Sequence, residues 1–333
     1  MSVALSSTGA KMPLFRFVEG HQCDLRGYRL QCYQVSCAAP PMRALQVQHK
    51  SWDLSALRLD TVFWMEQAGE GVRRAIADGL VKREELFITS KLWNTFHAKE
   101  HVKPVSQLQL KHWGIDYFDL FLVHFPVALK YVDPAERYPP MWWAADMKTV
   151  TLQDTPMQET WTAMEELVDA GIAKNIGISN CQGSIIGDIL RYARIKPAVL
   201  QVELHPYLTQ EALVNYAKLV GIQVTAYSSF GPQSYVELGV DTGKTSLLST
   251  SHEVIGPLAA KYKKTTAQVL LRWSTQRGIA VIPKSNNAER LAENLDCLSF
   301  DLSDDEIKAI SKLNINLRMN DPVEIDPHVA IFA

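Results

Sequence analysis

The chain has 333 residues, of which 47% are hydrophobic and 21% are charged, and its formal net charge is −2 at pH 7. These values are ordinary for a globular protein of one large or two smaller α/β domains, and the small net charge gives no reason to expect nucleic acid or an anionic membrane as a partner. Five scattered cysteines predict neither a disulfide framework nor a zinc site. Without a signal-peptide pattern or a spanning apolar run, we expect a cytoplasmic protein.

The first 67 residues follow no clear period. Met1–Ala10 is small and polar, which is typical of a disordered segment, and Gly27–Leu30 resembles the start of a strand. Pro40 and Pro41 then interrupt any regular pattern. We therefore interpret residues 1–67 as an aberrant N-terminal segment of the same domain that residues 68–333 continue.

From residue 68 onward, strands and helices alternate. Short apolar, β-branched runs predict strands, and segments of helical period predict the helices. The predicted strands are 86–91, 118–124, 175–179, 198–203, 223–227 and 279–283. The predicted helices are 69–79, 99–113, 157–170, 183–193, 209–219, 253–262, 265–277, 287–296 and 303–312. The segments 126–155 and 228–251 are too long for simple connectors, so we expect functional loops there.

This alternation predicts an α/β protein with a parallel sheet and helices outside it. A closed (β/α)8 TIM barrel needs two more strands, which only residues 1–67 can supply, so its first one or two β/α units would be disrupted. The alternative is an open doubly wound sheet, which calls for a glycine-rich phosphate loop after its first strand. Gly69-Glu-Gly71 lacks the third glycine and follows no clear strand, so we favour the barrel.

Two strand ends carry titratable residues. Lys91 ends one predicted strand and His124 ends the next. In a parallel barrel the C-terminal strand ends share one rim, where the chemistry is done. A lysine and a histidine on that rim can set up proton transfer to a carbonyl oxygen. The simpler interpretation is a solvated lysine and a hydrogen-bonded structural histidine.

Later strand ends offer groups for a flat polar ligand. Ser179 and Asn180 present a hydroxyl and an amide suited to a carboxamide, although they could instead cap the next helix. Gln201, if it points into a barrel, must find a polar partner. The Tyr227 ring can stack on a heterocycle or simply pack.

A polar, basic cluster follows the last predicted strand. Ser285 and Asn286 are expected in the first turn of the next helix, where free backbone N–H groups favour an anion. Lys284 adds a point charge, and Arg290 adds a two-pronged donor about one turn later. The cluster predicts a phosphate site. The alternative is a capped helix beside two solvated cations.

Six phrases carry a family resemblance. They are Phe87–Asn94, Asp116–Leu120 with Val123–Pro126, Ile176–Asn180, Gln201 with His205–Tyr207, Ala226–Pro232, and Ile282–Asn286 with Arg290. Together they resemble the aldo-keto reductase family over residues 68 to about 322. Within it, Pro126–Pro140 and Leu317–Pro322 are similar to the fungal D-xylose reductases.

The resemblance implies a (β/α)8 barrel that reduces an aldose such as D-xylose with NADPH or NADH, as a monomer or homodimer. For the nicotinamide end of the cofactor, it implies that the carboxamide is held by Ser179, Asn180 and Gln201 and that Tyr227 stacks under the ring. For the rest of the cofactor, it implies that the pyrophosphate is covered by Ser228, Ser229, Phe230 and Gly231, that the adenosine ribose and its phosphate are bound by Lys284, Ser285, Asn286 and Arg290, and that the adenine is reached by Glu293 and Asn294. The sugar would be faced by Trp93, His124 and Asn320.

The family's proton donor is missing from its expected place. The resemblance implies a tyrosine donor, whose pKa is lowered by Lys91, and an aspartate paired with that lysine. Counting back from Gly69, these two positions fall on Leu57 and Val62, whereas counting forward from Leu30 they fall on Cys32 and Cys37. The two counts disagree, and no tyrosine occurs between Tyr33 and Tyr117. Either an unrelated amino-acid sequence is inserted in this segment, as a wrong exon boundary would produce, or the barrel has lost its proton donor.

Three functions therefore stay open. The first is NAD(P)H-dependent reduction of an aldose, with catalysis by Lys91 and His124. The second is an impaired barrel that binds NAD(P)H without turnover. The third is a reductase of another aldehyde or ketone, chosen by the loops 126–155 and 231–251.

Overall fold

The computed structural model describes residues 2–4, 11–13, 61–138, 140–144, 149–231, 246–283, 285 and 287–333, with side chains from residue 68 onward. The strands are β1 Ser2–Ala4, β2 Lys11–Pro13, β3 Thr89–Leu92, β4 Leu120–Val123, β5 Ile176–Ser179, β6 Val199–Glu203, β7 Gln223–Tyr227 and β8 Ala280–Val281. The helices are α1 Thr61–Ala77, α2 Lys99–Trp113, α3 Met157–Asp169, α4 Gly183–Tyr192, α5 Glu211–Leu219, α6 Ile255–Tyr262, α7 Thr266–Gln276, α8 Ala288–Leu295 and α9 Asp304–Ser311.

Strands β3 to β8 form one parallel sheet in which neighbours in sequence are neighbours in space. All residues of β4, β5 and β6 are buried, as expected for strands covered on both faces. Helices alternate with the strands, which is the order of successive β/α units in a barrel. Parallel neighbours also bring all six C-terminal strand ends to one rim.

The opposite, N-terminal ends of the strands are held by a buried carboxylate. Asp119, just before β4, accepts a hydrogen bond from the backbone N–H of Ile88, just before β3, at 2.9 Å. Arg83 lies 2.9 Å and Lys174 3.7 Å from its carboxylate oxygens. Burial raises the pKa of Asp119 despite these two cations. This network fastens β3, β4 and β5 at the end away from the rim.

Helix α1 begins earlier than predicted. It starts at Thr61 rather than Gly69, and it crosses the proposed segment boundary at residue 67. Gly69 therefore lies inside the helix and not at its start. A glycine is needed there because an added Cβ would lie 2.4 Å from the carbonyl oxygen of Trp113. The missing side chain of Gly69 allows α1 to approach the end of α2 closely, which is a common reason for a glycine in the interior of a helix.

Two other expectations differ from the structure. Residues 2–4 and 11–13 pair as antiparallel strands, with Ser2 opposite Pro13, although the small polar composition suggested disorder. The strands of the sheet are also shorter than several predicted runs: β3 spans four residues and β8 only two. Apolar runs continue beyond the paired backbone because flanking residues are buried in the core as well. Among the described helices, none is long and apolar enough to cross a membrane.

Candidate active site

The rim of the sheet brings the sequence-predicted residues together. Lys91 is the penultimate residue of β3, and His124 directly follows β4. Ser179 ends β5 opposite Gln201 of β6, and Tyr227 ends β7. Five strands therefore each contribute one side chain to the same end of the sheet, which is where barrel enzymes place their catalytic groups.

Lys91 is a half-buried cation with an altered pKa. Burial strips water from its ammonium and lowers the pKa of Lys91 to about 7. Within the described part of the chain, no carboxylate or hydroxyl group pairs with the ammonium. Its backbone oxygen accepts a hydrogen bond from Gln109 Nε2 at 3.1 Å, which ties β3 to α2. The side chain can therefore exchange a proton near neutral pH.

His124 lies in an aromatic wall. Its ring centroid is 5.1 Å from that of Trp93 in an edge-on arrangement, and 4.9 Å from that of Phe125. Trp142 packs edge-on against Trp93 at 5.2 Å. The indole Nε1 of Trp93 is buried, and it has no hydrogen-bond partner among the described residues. This wall supplies an apolar surface with an imidazole and a free N–H donor, a combination suited to a polar ligand with an apolar face.

Ser179, Asn180 and Tyr227 form one hydrogen-bonded chain. The Tyr227 hydroxyl donates to Asn180 Oδ1 at 2.7 Å. The amide Nδ2 of Asn180 donates to the backbone oxygen of His124 at 2.9 Å and to Ser179 Oγ at 3.1 Å. Asn180 adopts a φ of +58°, a conformation that asparagine tolerates better than most residues. The chain links the ends of three strands and fixes the edge of the Tyr227 ring.

A tight turn follows Tyr227. Ser228 has a φ of +52° and Gly231 a φ of +68°, and the Gly231 N–H donates to the Ser228 oxygen at 2.8 Å. Ser229 is buried and its hydroxyl donates to the Ala226 oxygen at 3.3 Å. Phe230 packs against the core. These hydrogen bonds hold the turn in place at the point where the resemblance implied a cover for the pyrophosphate.

The predicted phosphate cluster differs from the expected arrangement. Helix α8 begins at Ala288, and Asn287 is its N-cap, since Asn287 Oδ1 accepts the Arg290 N–H at 3.0 Å. Ser285 therefore precedes the helix rather than lying in its first turn, and Ser285 Oγ accepts the Asn287 N–H at 3.1 Å. The prediction was wrong because an asparagine side chain caps the helix one residue later. Lys284 and Asn286 lie outside the described residues.

The remaining predicted residues of this region lie on α8. Arg290 and Glu293 are exposed, and Asn294 is buried. In the described part of the chain, the guanidinium of Arg290 makes no ion pair. An exposed and unpaired guanidinium remains available to a phosphate.

The C-terminal segment reaches the rim through Glu203, a residue to which the sequence analysis gave no role. Glu203 ends β6 and is fully buried, and its carboxylate accepts the backbone N–H of Asn320 at 2.8 Å. Asn320 thus lies beside the end of β6. The alternation of Gln201 and Glu203 on one face of β6 was the available signal.

The comparisons with known proteins identify the family. A model described as the aldo/keto reductase family matches residues 44–315. The chain belongs to the aldo/keto reductase family. Its relatives include the NAD(P)H-dependent D-xylose reductase xyl1 of Aspergillus niger, 56% identical over 96% of this chain and 99% of that protein. The probable NAD(P)H-dependent D-xylose reductase xyl1 of Emericella nidulans is 52% identical over the same shares.

Solved structures agree with the predicted fold. An aldo-keto reductase of Bombyx mori in complex with NADP matches with a TM-score of 0.75 and 31% identity, over 97% of this chain and 96% of that chain. The aldose reductase of Schistosoma japonicum matches with a TM-score of 0.70 and 36% identity, over 80% and 81% of the two chains. Together with the parallel six-stranded sheet, these matches confirm the family and the (β/α)8 barrel that the sequence predicted.

Proposed function

We propose that this aldo/keto reductase reduces an aldose carbonyl with NADPH or NADH, and that D-xylose is its substrate and xylitol its product. The observation that carries the proposal is the 56% identity to a D-xylose reductase over 96% of the chain. The named relatives are NAD(P)H-dependent, and one structural neighbour holds NADP. An aldose also suits the aromatic wall, because sugars present both apolar faces and hydroxyl groups.

The polar chain at the rim fits a nicotinamide. Ser179, Asn180 and the buried Gln201 supply hydroxyl and amide groups that suit a carboxamide, and Tyr227 is fixed by its bond to Asn180 so that its ring can stack. The turn Ser228–Gly231 would cover the pyrophosphate. Lys284, Ser285, Asn286 and Arg290 would bind the adenosine ribose and its phosphate, with Glu293 and Asn294 at the adenine.

The reacting groups would be Lys91 and His124. When bound, a reduced nicotinamide supplies a hydride to the carbonyl carbon. His124 would donate a hydrogen bond that orients the carbonyl oxygen, with Trp93 and Asn320 holding the sugar. The oxygen must then receive a proton. Lys91, with a pKa of about 7, would supply or relay it near neutral pH.

The competing function is a barrel that binds nicotinamide without turnover. The observation in its favour is the lack of a carboxylate partner for Lys91 in the described residues, together with the missing tyrosine at its expected spacing. The resemblance implies that a tyrosine protonates the alkoxide, with a lysine and a carboxylate beside it. A lysine that lacks both of these partners could not protonate the alkoxide in that way. The two functions differ in turnover and not in cofactor binding, which a paired measurement separates.

The test combines binding with turnover. NADPH and NADH are titrated by quenching of tryptophan fluorescence, and their oxidation is then followed with D-xylose and with a short aldehyde that lacks hydroxyl groups. Binding with faster turnover of D-xylose supports the proposal. Turnover of the plain aldehyde alone would assign a different carbonyl substrate, and binding without any turnover would assign the non-catalytic barrel.

Two variants sharpen the test. Lys91→Met and His124→Ala should each abolish reduction of D-xylose while leaving the Kd for NADPH within about twofold, since both groups act on the carbonyl oxygen. Lys308→Met is the matched control, because Lys308 is an exposed lysine on α9 whose one ion pair among the described residues is with exposed Asp305. If Lys91→Met retains full turnover, the proposed role of Lys91 is wrong.

A further inference from the structure

We propose that Glu203 is a positioning residue of the active site: its buried carboxylate holds the backbone of Met319 and Asn320 against the end of β6 and so sets the place of the Asn320 side chain toward the sugar. The inference rests on the proposed function, since it assigns the part of the protein that holds the aldose. It adds a residue that does not itself touch the substrate.

The carboxylate of Glu203 is saturated by donors from two directions. His205 Nε2 lies 3.0 Å from Oε1. The Met319 N–H points between the two oxygens, at 3.1 and 3.2 Å, and the Asn320 N–H donates to Oε2 at 2.8 Å. Glu203 and His205 are both fully buried. One carboxylate thus joins two segments that are 117 residues apart in sequence.

The charge on Glu203 is maintained in spite of its burial. Burial alone would raise its pKa, but the hydrogen bond and charge interaction with His205, together with hydrogen bonds from the backbone and side chain of Asn320, outweigh it and lower the pKa of Glu203. A buried carboxylate with several donors forms strong, charge-assisted hydrogen bonds. The hydrogen bonds from the Met319 and Asn320 backbone to this carboxylate are therefore strong contacts that hold the C-terminal segment in place.

The position of Glu203 connects the two halves of the site. On β6 it lies two residues after Gln201, on the same face of the strand. In the parallel register it is opposite Tyr227 of β7, whose hydroxyl belongs to the polar chain at the rim. The same strand end thus carries a group proposed for the cofactor and the anchor for Asn320. A shift at Glu203 would change the distance between the sugar-binding and the nicotinamide-binding groups.

Other contacts hold the C-terminal segment just before Met319. The Tyr207 backbone oxygen accepts the N–H groups of Ile315 and Leu317 at 3.3 and 3.0 Å. Arg318 Nη2 donates to Gln210 Oε1 at 3.1 Å. These bonds do not involve the Glu203 carboxylate, so they remain when it is altered. Loss of the carboxylate should release Met319 and Asn320 locally without detaching the segment.

The central variant is Glu203→Gln, which keeps the side-chain shape but replaces one acceptor oxygen with an N–H₂ donor. At least one of the three donors then faces another donor. We expect KM for D-xylose to rise about 10-fold to 100-fold, the range for a buried donor that loses its partner. Since Asn320 would bind the sugar in its ground state and transition state alike, kcat should change by less than about threefold, and the Kd for NADPH by less than about twofold.

The matched control is Glu165→Gln. Glu165 is also buried and also accepts a backbone N–H, from Ile195 at 2.9 Å, but it joins α3 to the segment between α4 and the start of β6. This variant should lower the stability of the barrel and leave KM unchanged. Asn320→Ala gives the KM expected when the positioned side chain itself is absent, and Glu203→Gln should approach that value.

Limited trypsin digestion supplies a readout that does not depend on turnover. Arg318 directly precedes Met319, and its guanidinium is held by Gln210 and stacked on Phe332, 3.7 Å from the ring centroid. We expect faster cleavage after Arg318 in Glu203→Gln than in the wild type or in Glu165→Gln, measured by mass spectrometry. If Glu203→Gln does not fold, Glu203→Asp, which keeps the charge on a shorter side chain, should show the same changes in smaller size.

The outcomes separate the two proposals. A wild-type protein that binds NADPH but reduces no aldose overturns the proposed function. A wild type that reduces D-xylose, with a raised KM and faster cleavage in Glu203→Gln only, supports the positioning role. An unchanged KM in Glu203→Gln overturns that role, whether or not cleavage is faster, and a KM raised equally in Glu165→Gln overturns it as well.

Discussion

Lys91 should reduce the stability of the fold that carries it, and Lys91→Met tests this directly. Burial lowers the pKa of Lys91 from 10.5 to about 7. Each unit of pKa corresponds to about 1.36 kcal/mol, so a shift of this size corresponds to about 5 kcal/mol. Because the side chain is only half-buried and keeps partial contact with water, we expect about 2–4 kcal/mol.

The sign of the pH dependence follows from proton binding. Between pH 7 and about 10.5 the unfolded chain keeps the proton on Lys91 while the folded protein releases it, so the free energy of unfolding of the wild type rises with pH over that window. Methionine of similar length carries no charge. Lys91→Met should therefore be more stable than the wild type by about 2–4 kcal/mol at pH 6, and this advantage should approach zero near pH 10.5.

Urea unfolding followed by tryptophan fluorescence at pH 6, 8 and 10 measures this difference. Lys308→Met serves as the control, since exposed pairs such as Lys308 and Asp305 contribute less than about 0.5 kcal/mol, at every pH of the series. A gain of the same size at pH 6 and pH 10, or a loss of stability at pH 6, would show that the charge on Lys91 does not destabilise the fold in this way. The latter result would mean that a carboxylate compensates the ammonium of Lys91.

Three further changes test other parts of the molecule. Asp119→Asn leaves the largely buried Arg83 without its carboxylate at the N-terminal ends of the strands, so urea unfolding should show a loss of about 3 kcal/mol while kcat stays unchanged. Gly231→Ala forces a Cβ to within 2.8 Å of Leu247 Cδ1 at a φ of +68°, and should lose about 1–2 kcal/mol and bind NADPH more weakly; Gly171→Ala, at a φ of +70° in open space, should lose only about 1 kcal/mol and bind normally. Arg290→Ala should raise the Kd for NADPH more than that for NADH if its exposed guanidinium binds the extra phosphate, and equal losses in fluorescence titrations would remove that assignment.

The sheet could be predicted from the sequence because strands that are buried on both faces consist of continuous apolar residues. Strands such as β4 and β5 are continuous apolar runs, and each ends in a polar residue at the rim. Their order in space follows from their order in the chain, since successive parallel β/α units pack side by side. The pattern of the sequence is therefore enough to assign Lys91, His124 and Asn180 to one rim.

Two of the missed features depend on contacts between distant segments. Gly69 looked like a helix boundary because glycine has low helix propensity, but its role comes from the carbonyl of Trp113 on another helix. Glu203 looked like one more polar residue of a strand, and its function appears only when Met319 and Asn320 approach it. Local pattern carries no information about such partners. Tertiary packing decides both cases.

The effect of Lys91 on the stability of the fold is also relevant to the missing proton donor. A buried ammonium without a carboxylate is unfavourable, and a chain under no demand for catalysis would be more stable with an apolar residue in its place. Its retention beside His124, on a rim that also carries Asn180 and Tyr227, indicates a site shaped for chemistry. If Lys91→Met is more stable but inactive, the lysine is kept for turnover, as expected of a group that supplies or relays the proton. If it is more stable and the wild type turns over no aldose, the barrel has kept the cofactor groups and lost the reaction.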